Sequence, residues 1–346
     1  MTESHLVLAP AKLNFGLRIV GIRPDGYHLL ESLFVPVALA DRLSIEILGE
    51  GAGEVSEIEL RVSCDEALPG ASGIPETGEN LVVRAARAFL TGAGLRADLS
   101  IRLEKLVPAG AGMGGGSSDA GAILRFLAER YPDAFSKPAL IELAAKLGAD
   151  VPFFLARGPS WVGGVGEQVV GQPDFPPVWV VLANPGVSLA TAEVFANFDR
   201  EPRALTLPST SSTMRALSEL AAEFFSSDSG ARIRGGDNLD DGITNNEPLD
   251  PLPEMAPGTV AKAFDSGLLE NDLETAAINL CPGVANLQQR LGEVGARWTG
   301  MSGSGATVYG IFVDEDSARR GLRQAEFQAP IWACVTQTQG GAQDQH

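Results

Sequence analysis

One run of glycines decides what this chain can be built around. Residues 108–118 read Pro-Ala-Gly-Ala-Gly-Met-Gly-Gly-Gly-Ser-Ser, and Asp119 follows. Before the run, Leu99, Ile101 and Leu103 alternate with polar residues, the two-residue period of a strand. After it, Ala120, Ile123, Leu124 and Leu127 recur at helical spacing. Ser117, Ser118 and Asp119 are the residue types that cap a helix start. The order is strand, glycine-rich loop, helix. Glycines allow positive φ and close backbone approach, and a helix start offers unpaired N–H groups with partial positive charge. Together they predict a phosphate site formed by Pro108, Ala109, Gly110, Ala111, Gly112, Met113, Gly114, Gly115, Gly116, Ser117 and Ser118. The alternative is a flexible linker, which rarely runs straight into a capped amphipathic helix.

The type of loop narrows by elimination. Gly110-x-Gly112-x-x-Gly115 fits the dinucleotide fingerprint formally. The acidic residue expected at the end of a second strand is missing, because residues 120–147 read as two helices. No Gly-Lys-Ser/Thr follows, which excludes a Walker loop. With 26 basic against 44 acidic residues the net charge is −18, which argues against a nucleic-acid or anionic-membrane surface. Anion binding must therefore come from local devices. Cys64, Cys281 and Cys334 are scattered without a C-x-x-C, and there are 3 histidines, so neither a thiolate zinc site nor a His-rich metal site is expected. Cysteine usage of this kind suits a reducing compartment. No signal peptide opens the chain and no apolar run is long enough to span a bilayer, so a cytoplasmic protein is expected.

Along the chain, 346 residues allow one large domain or two ordinary ones. Strands are expected at 5–9 and 13–20, broken by Pro10. Lys12 and Asn14, two apart on a strand, share a face, and they suit either a solvated edge or a site. Arg23-Pro24-Asp25-Gly26 is strong turn chemistry that presents Tyr27 and His28. That pair can hold a planar ligand or simply pack over the turn. Asn80 caps a helix; Lys105 lies close enough before the loop to reach a phosphate, or is solvated. Ser136 caps a helix over 137–147 that Gly148 stops. Asp150 follows a helix C-terminus, an electrostatically poor place for a carboxylate, and needs a lysine, a metal, a catalytic role or a turn to explain it. Residues 204–212 and 226–250 read as surface loops around a helix at 213–225. Helices follow near 258–266, 271–280 and 284–294. Gly300–Thr307 is a second glycine-rich turn between strands 296–299 and 307–313. A helix at 315–327, a strand at 331–336 and a disordered tail complete the reading.

Four separated elements then agree. Pro10-Ala-Lys-Leu-Asn14, the 108–118 loop, Gly148-Ala-Asp-Val-Pro152 and the 301–307 turn match, in order, the signatures of the GHMP kinases, the galactokinase, homoserine kinase, mevalonate kinase and phosphomevalonate kinase group. The chain resembles that group over nearly its whole length, apart from an acidic, Pro-rich insertion near 200–257 and the tail. Asp25-Gly-Tyr-His28 followed by Leu29-Leu-Glu-Ser32 is similar, more narrowly, to the members that phosphorylate a cytidine-diphosphate-linked alcohol.

The resemblance implies an α+β, two-domain GHMP kinase fold. Residues 1–170 would form a ribosomal protein S5 domain 2-like, ATP-binding N-terminal domain. Residues 171–338 would form the GHMP C-terminal domain, and 339–346 a disordered tail. ATP with Mg2+ would lie on the loop, with Asn80 and Lys105 beside it. Lys12 and Asp150 would be the catalytic pair. Asn14, Tyr27, His28, Thr191 and Phe195 would hold the substrate, with Tyr27 and Phe195 sandwiching cytosine and His28 reading its edge. The partner expected is a small molecule carrying a cytidine diphosphate group, with no nucleic acid and no membrane.

Overall fold

The computed structural model describes residues 4–51, 56–156, 158–171, 175, 177–200 and 270–340. The expectations for 204–212, 213–225, 226–250 and 258–266, and most of the 200–257 insertion, lie outside the described residues.

The first sheet is built on a long hairpin, β1 (Ser4–Ile22) and β2 (His28–Gly51), joined by the Arg23–Tyr27 turn. Against the other edge of β2 lie β4 (Arg96–Lys105), itself paired in parallel with β3 (Ile58–Cys64), and the hairpin β5 (Ser160–Gly163) and β6 (Gln168–Gly171). The break expected at Pro10 is not seen. β1 continues through it, and a register shift between Pro10 and Lys12 absorbs the residue that lacks an N–H.

One face of this sheet carries α1 (Leu81–Ala93), α2 (Gly115–Arg130) and α3 (Lys137–Leu147). Asn80 and Ser136 cap α1 and α3 as their side-chain chemistry suggests. Leu43, Ile45, Leu99, Ile101 and Leu103 meet Val82, Phe89, Ile123 and Leu127 there, all buried.

The second sheet has the order β10-β7-β9-β8, all antiparallel: β7 (Trp179–Asn184), β8 (Trp298–Met301), β9 (Val308–Phe312) and β10 (Trp332–Gln337). Packed on it are α4 (Thr191–Phe198), α5 (Glu274–Leu280), α6 (Gly283–Glu293) and α7 (Glu315–Ala325). A third core joins the sheets, with Ala11, Leu13, Phe15, Leu33 and Val35 against Val180, Leu182, Tyr309 and Ile311. For this reason residues 11–17 of β1 are buried without a break, where one-sided strands alternate. Lys12 and Asn14 are inside that stretch, so each must find partners in the interior.

The chain is still bonded at Thr338 and Gln339, where the expected tail begins, and residues 341–346 lie outside the described residues. Thr338 bridges Val37 and its N–H donates to Val178, while Gln339 N–H donates to Pro36 O at 2.7 Å. Backbone groups left over at the sheet edges supply the partners that hold these residues.

Candidate active site

The glycine loop fits between the two sheets. Gly110, Gly112 and Gly114 have φ of 63°, 81° and 67°, the left-handed region that favours glycine. A Cβ at Gly110 would strike Ser188, one at Gly112 the Ser302 carbonyl, and one at Gly114 the Phe154 ring and Lys12. The glycines therefore let the loop press onto protein, not only onto a ligand. Its carbonyls are consumed in the same way. Gly110 O accepts from Ser188 Oγ (2.9 Å), Ala111 O from Thr307 N (3.3 Å) and Met113 O from Lys12 N (3.0 Å). Gly112 O accepts from both Lys12 Nζ (3.0 Å) and Ser302 Oγ (2.9 Å).

The helix start differs from expectation in its capping. The N-cap of α2 is Gly114, and no side chain caps it. Ser118 Oγ turns away to donate to Pro10 O, and Asp119 faces the interior. The first helical bond is Ser118 N–H to Gly114 O, so the amides of Gly115, Gly116 and Ser117 precede it without a side-chain acceptor. With the loop carbonyls bound and these amides uncapped, the polarity left over is that of an anion site.

Beside the loop, Lys12 is the hub. Its Nζ donates to Asn14 Oδ1 at 2.5 Å and to Gly112 O, stands 3.7 Å from Asp150 Oδ2, and lies 4.6 Å from the centre of the Phe34 ring. Burial pushes the Lys12 ammonium below the usual lysine range, and the Asp150 carboxylate opposes that shift. Asn14 is oriented in turn, with Nδ2 donating to Ser32 Oγ (2.9 Å) and its backbone N–H to Ser302 Oγ (3.2 Å). Asp150 sits in the turn after α3, its side chain 29 % exposed, so it is the member of this group that faces outward. A carboxylate and an ammonium meet at the foot of an uncapped helix start, the arrangement that can accept a hydroxyl proton and offset moving phosphoryl charge.

Two expected loop partners are otherwise engaged. Lys105 does not reach toward a phosphate. It is 4 % exposed and its ammonium is held between Asp41 and Asp119, the latter at 2.7 Å. A buried ammonium needs paired charge, and two carboxylates outcompete a solvent-side ligand. Asp41 also accepts from Leu106 and Val107 N–H, so the cluster anchors the loop from beneath. Asn80 spends Oδ1 on Val82 N–H and Nδ2 on Pro75 O, leaving it a helix cap.

The substrate-side residues are also rearranged. Phe195 is stacked on His28, ring centres 4.8 Å apart and planes at 26°, and so does not stand free opposite Tyr27. The imidazole's Nε2 lies 2.8 Å from Asp199 Oδ1, while Tyr27 is 65 % exposed at the hairpin turn. Helical spacing explains this, because Phe195, Phe198 and Asp199 fall on one side of α4 and converge on the ring. Thr191 opens α4, and its hydroxyl is 3.0 Å from that of Ser304 in the 301–307 turn.

Ser32, Phe34 and Ser302 were not among the expected site residues. Ser302 lies in the second glycine-rich turn, a signal that pointed to the segment but not to the side chain. Ser32 and Phe34 enter through strand register, Leu17 opposite Ser32 and Asn14 opposite Phe34, which only pairing defines.

With this geometry, the chain matches the GHMP kinases N terminal domain over residues 80–158 and the GHMP kinases C terminal domain over 257–330. A 4-diphosphocytidyl-2-C-methyl-D-erythritol kinase of Syntrophotalea carbinolica is 36 % identical over 312 residues, 90 % of this chain and 91 % of that one. One from Geobacter sp. (strain M21) is 31 % identical over 334 residues, 96 % of this chain and 98 % of its own. The crystal structure of a 4-(cytidine 5'-diphospho)-2C-methyl-D-erythritol kinase superposes with a TM-score of 0.66 at 31 % identity, covering 98 % of this chain and 100 % of that chain. A homoserine kinase from Cytophaga hutchinsonii, at 16 % identity and a TM-score of 0.63 over 98 % and 96 % of the two chains, shares the fold.

Proposed function

The chain belongs to the 4-diphosphocytidyl-2-C-methyl-D-erythritol kinases, a family within the GHMP kinases, and from that premise we propose how its own residues carry the reaction. It is an ATP-dependent kinase that phosphorylates the 2-hydroxyl of 4-diphosphocytidyl-2-C-methyl-D-erythritol, a step of non-mevalonate isoprenoid synthesis. ATP phosphates rest on the amides of the 110–117 loop and helix start. Among the described residues no cluster of side chains could cage a metal, so Mg2+ would be held chiefly by the phosphate oxygens of ATP on the loop and would offset their charge. Asp150 accepts the proton of the attacking hydroxyl. Lys12, tied to Asp150 and to Gly112 O at once, steadies the charge that moves between them. Asn14, held by Ser32 and Ser302, fixes the direction of the lysine. Lys105 acts on the loop from behind, and Asn80 acts on the start of α1, neither on ATP directly.

At the other end, Phe195, stacked over His28, forms one wall for the cytosine, exposed Tyr27 supplies the closing ring, and His28 meets the base at its edge. Base stacking on an aromatic is worth ~1–3 kcal/mol. We assign 1–170 to the ATP-binding domain and 171–338 to the C-terminal domain, and place the enzyme in the cytoplasm. Among the described residues no helix is long and apolar enough to cross a membrane.

The observation that carries this reading is the Lys12 ammonium, which joins Asp150 to the loop through an ion pair at 3.7 Å and a hydrogen bond of 3.0 Å to Gly112 O. ADP release by the purified protein, measured with diphosphocytidyl-methylerythritol, mevalonate and homoserine in parallel, tests it. Turnover is expected with the cytidine substrate alone. Faster turnover of mevalonate or homoserine would overturn the substrate assignment.

A further inference from the structure

The contacts around His28 carry an inference beyond the family's chemistry. His28 opens β2 and is only 8 % exposed as a side chain. Phe195 covers its face, Phe198 meets its edge at 5.8 Å and 87°, and Asp199 Oδ1 takes its Nε2 at 2.8 Å. Among the described residues no group bonds Nδ1. An ionised carboxylate only accepts, so Nε2 must carry the proton, and in a neutral imidazole Nδ1 is then a bare acceptor. The two phenyl rings keep the imidazole from turning to exchange its nitrogens.

We propose that Asp199 is a positioning residue that sets the base preference of the substrate site by fixing the tautomer of His28. The proposal rests on the assignment of His28 to the edge of the base. Cytosine presents an exocyclic amino donor where a uracil-type ring presents a carbonyl acceptor. An Nδ1 acceptor pairs with the first and opposes the second, leaving both lone pairs unmatched, which is how a polar site rejects a near-isostere. Asp199 never touches the base; it selects by deciding which nitrogen holds the proton. Loss of Asp199 frees the ring to take the other tautomer, and Nδ1–H would then welcome a carbonyl.

Two measurements test this. The first is kcat/KM for the cytidine substrate and its uridine analogue, in wild type, Asp199→Ala and Asp199→Asn, at alkaline pH. The cytidine-over-uridine ratio should fall about tenfold or more in Asp199→Ala, with KM for ATP unchanged. The second is the nitrogen spectrum of 15N-histidine-labelled free enzyme, with His28 identified by its loss in His28→Gln. His28 should be protonated at Nε2 in wild type and mixed in Asp199→Ala. An unchanged ratio in the variant, or an Nδ1–H tautomer in the wild type, overturns the proposal. If the wild type fails to turn over the cytidine substrate at all, the functional reading has failed, and the tautomer measurement, which needs no substrate, still decides what Asp199 does.

Discussion

Lys12 and Asp150 divide one task unequally. The lysine is buried and bound on several sides, whereas the carboxylate is partly exposed and free to meet a substrate. Asp150→Asn keeps the shape and removes the acceptor charge. kcat should fall ~10²–10⁴-fold while calorimetric ATP affinity stays near wild type. Lys12→Met should cost a similar factor, and the double variant little more than either, because residues acting as a unit do not add. Retention of a tenth of wild-type kcat by Asp150→Asn would remove it as the base. The depressed Lys12 pKa also has a stability sign. The unfolded chain holds this proton more tightly, so burial costs stability at neutral pH. That cost fades as pH rises from the folded pKa toward the ordinary lysine value of ~10.4. Wild type should therefore gain stability relative to Lys12→Met on going from neutral to alkaline pH, measured by urea unfolding.

At the scale of elements, the glycine loop is held by protein on the side where side chains would be. Gly112→Ala would place a methyl on the Ser302 carbonyl and force a non-glycine residue to φ 81°. A loss of ~1–3 kcal/mol in unfolding free energy is expected, with a raised KM for ATP, since the loop must lift from the second sheet. Normal stability in that variant would mean that the loop and the 301–307 turn are not packed together. Beneath the loop, burial pushes the Asp119 carboxyl up to about 7, with Lys105 opposing and Asp41 adding to the shift. The folded state thus keeps a proton that the unfolded chain releases near pH ~3.9. Its stabilisation is present below that pH and is lost as pH rises through about 7. Asp119→Asn removes the titration and keeps an acceptor for Lys105. The variant should gain on wild type, by on the order of 1–3 kcal/mol, as pH goes from 5 to 8. Parallel pH–stability curves would show that Asp119 stays ionised throughout.

The two sheets of the whole molecule are joined by an apolar core and then strapped by the last described residues. Thr338 and Gln339 bond to Val178 on one side and to Val37 and Pro36 on the other. Arg18 and Asp272 add a second tie at 2.9 Å, and Asp272 Oδ2 accepts from Ile19 N–H. Ending the chain after Gln337 should lower unfolding free energy by ~1–3 kcal/mol, a few hydrogen bonds' worth, while leaving the secondary structure by circular dichroism unchanged. An unaltered thermal midpoint would mean that the apolar core alone holds the sheets.

What the sequence determined by itself was local. Period-two and helical patterns, the Asn80 and Ser136 caps and the glycine loop between β4 and α2 were legible because each rests on residues a few positions apart. Lys12 and Asp150 were legible as candidates through resemblance, and their residue types suit the chemistry. What only the tertiary structure decided was which partner each polar group takes. Lys105 looked free for phosphate and went to Asp41 and Asp119; Phe195 looked free for a base and stacked on His28; Ser118 and Asp119 looked like caps and turned inward. A buried polar group must be satisfied by whatever the fold brings within about 3 Å, and those neighbours come from distant segments. Pro10 shows the same rule for backbone, since a residue that breaks an isolated strand is carried through by pairing along β2 and a bulge beside it.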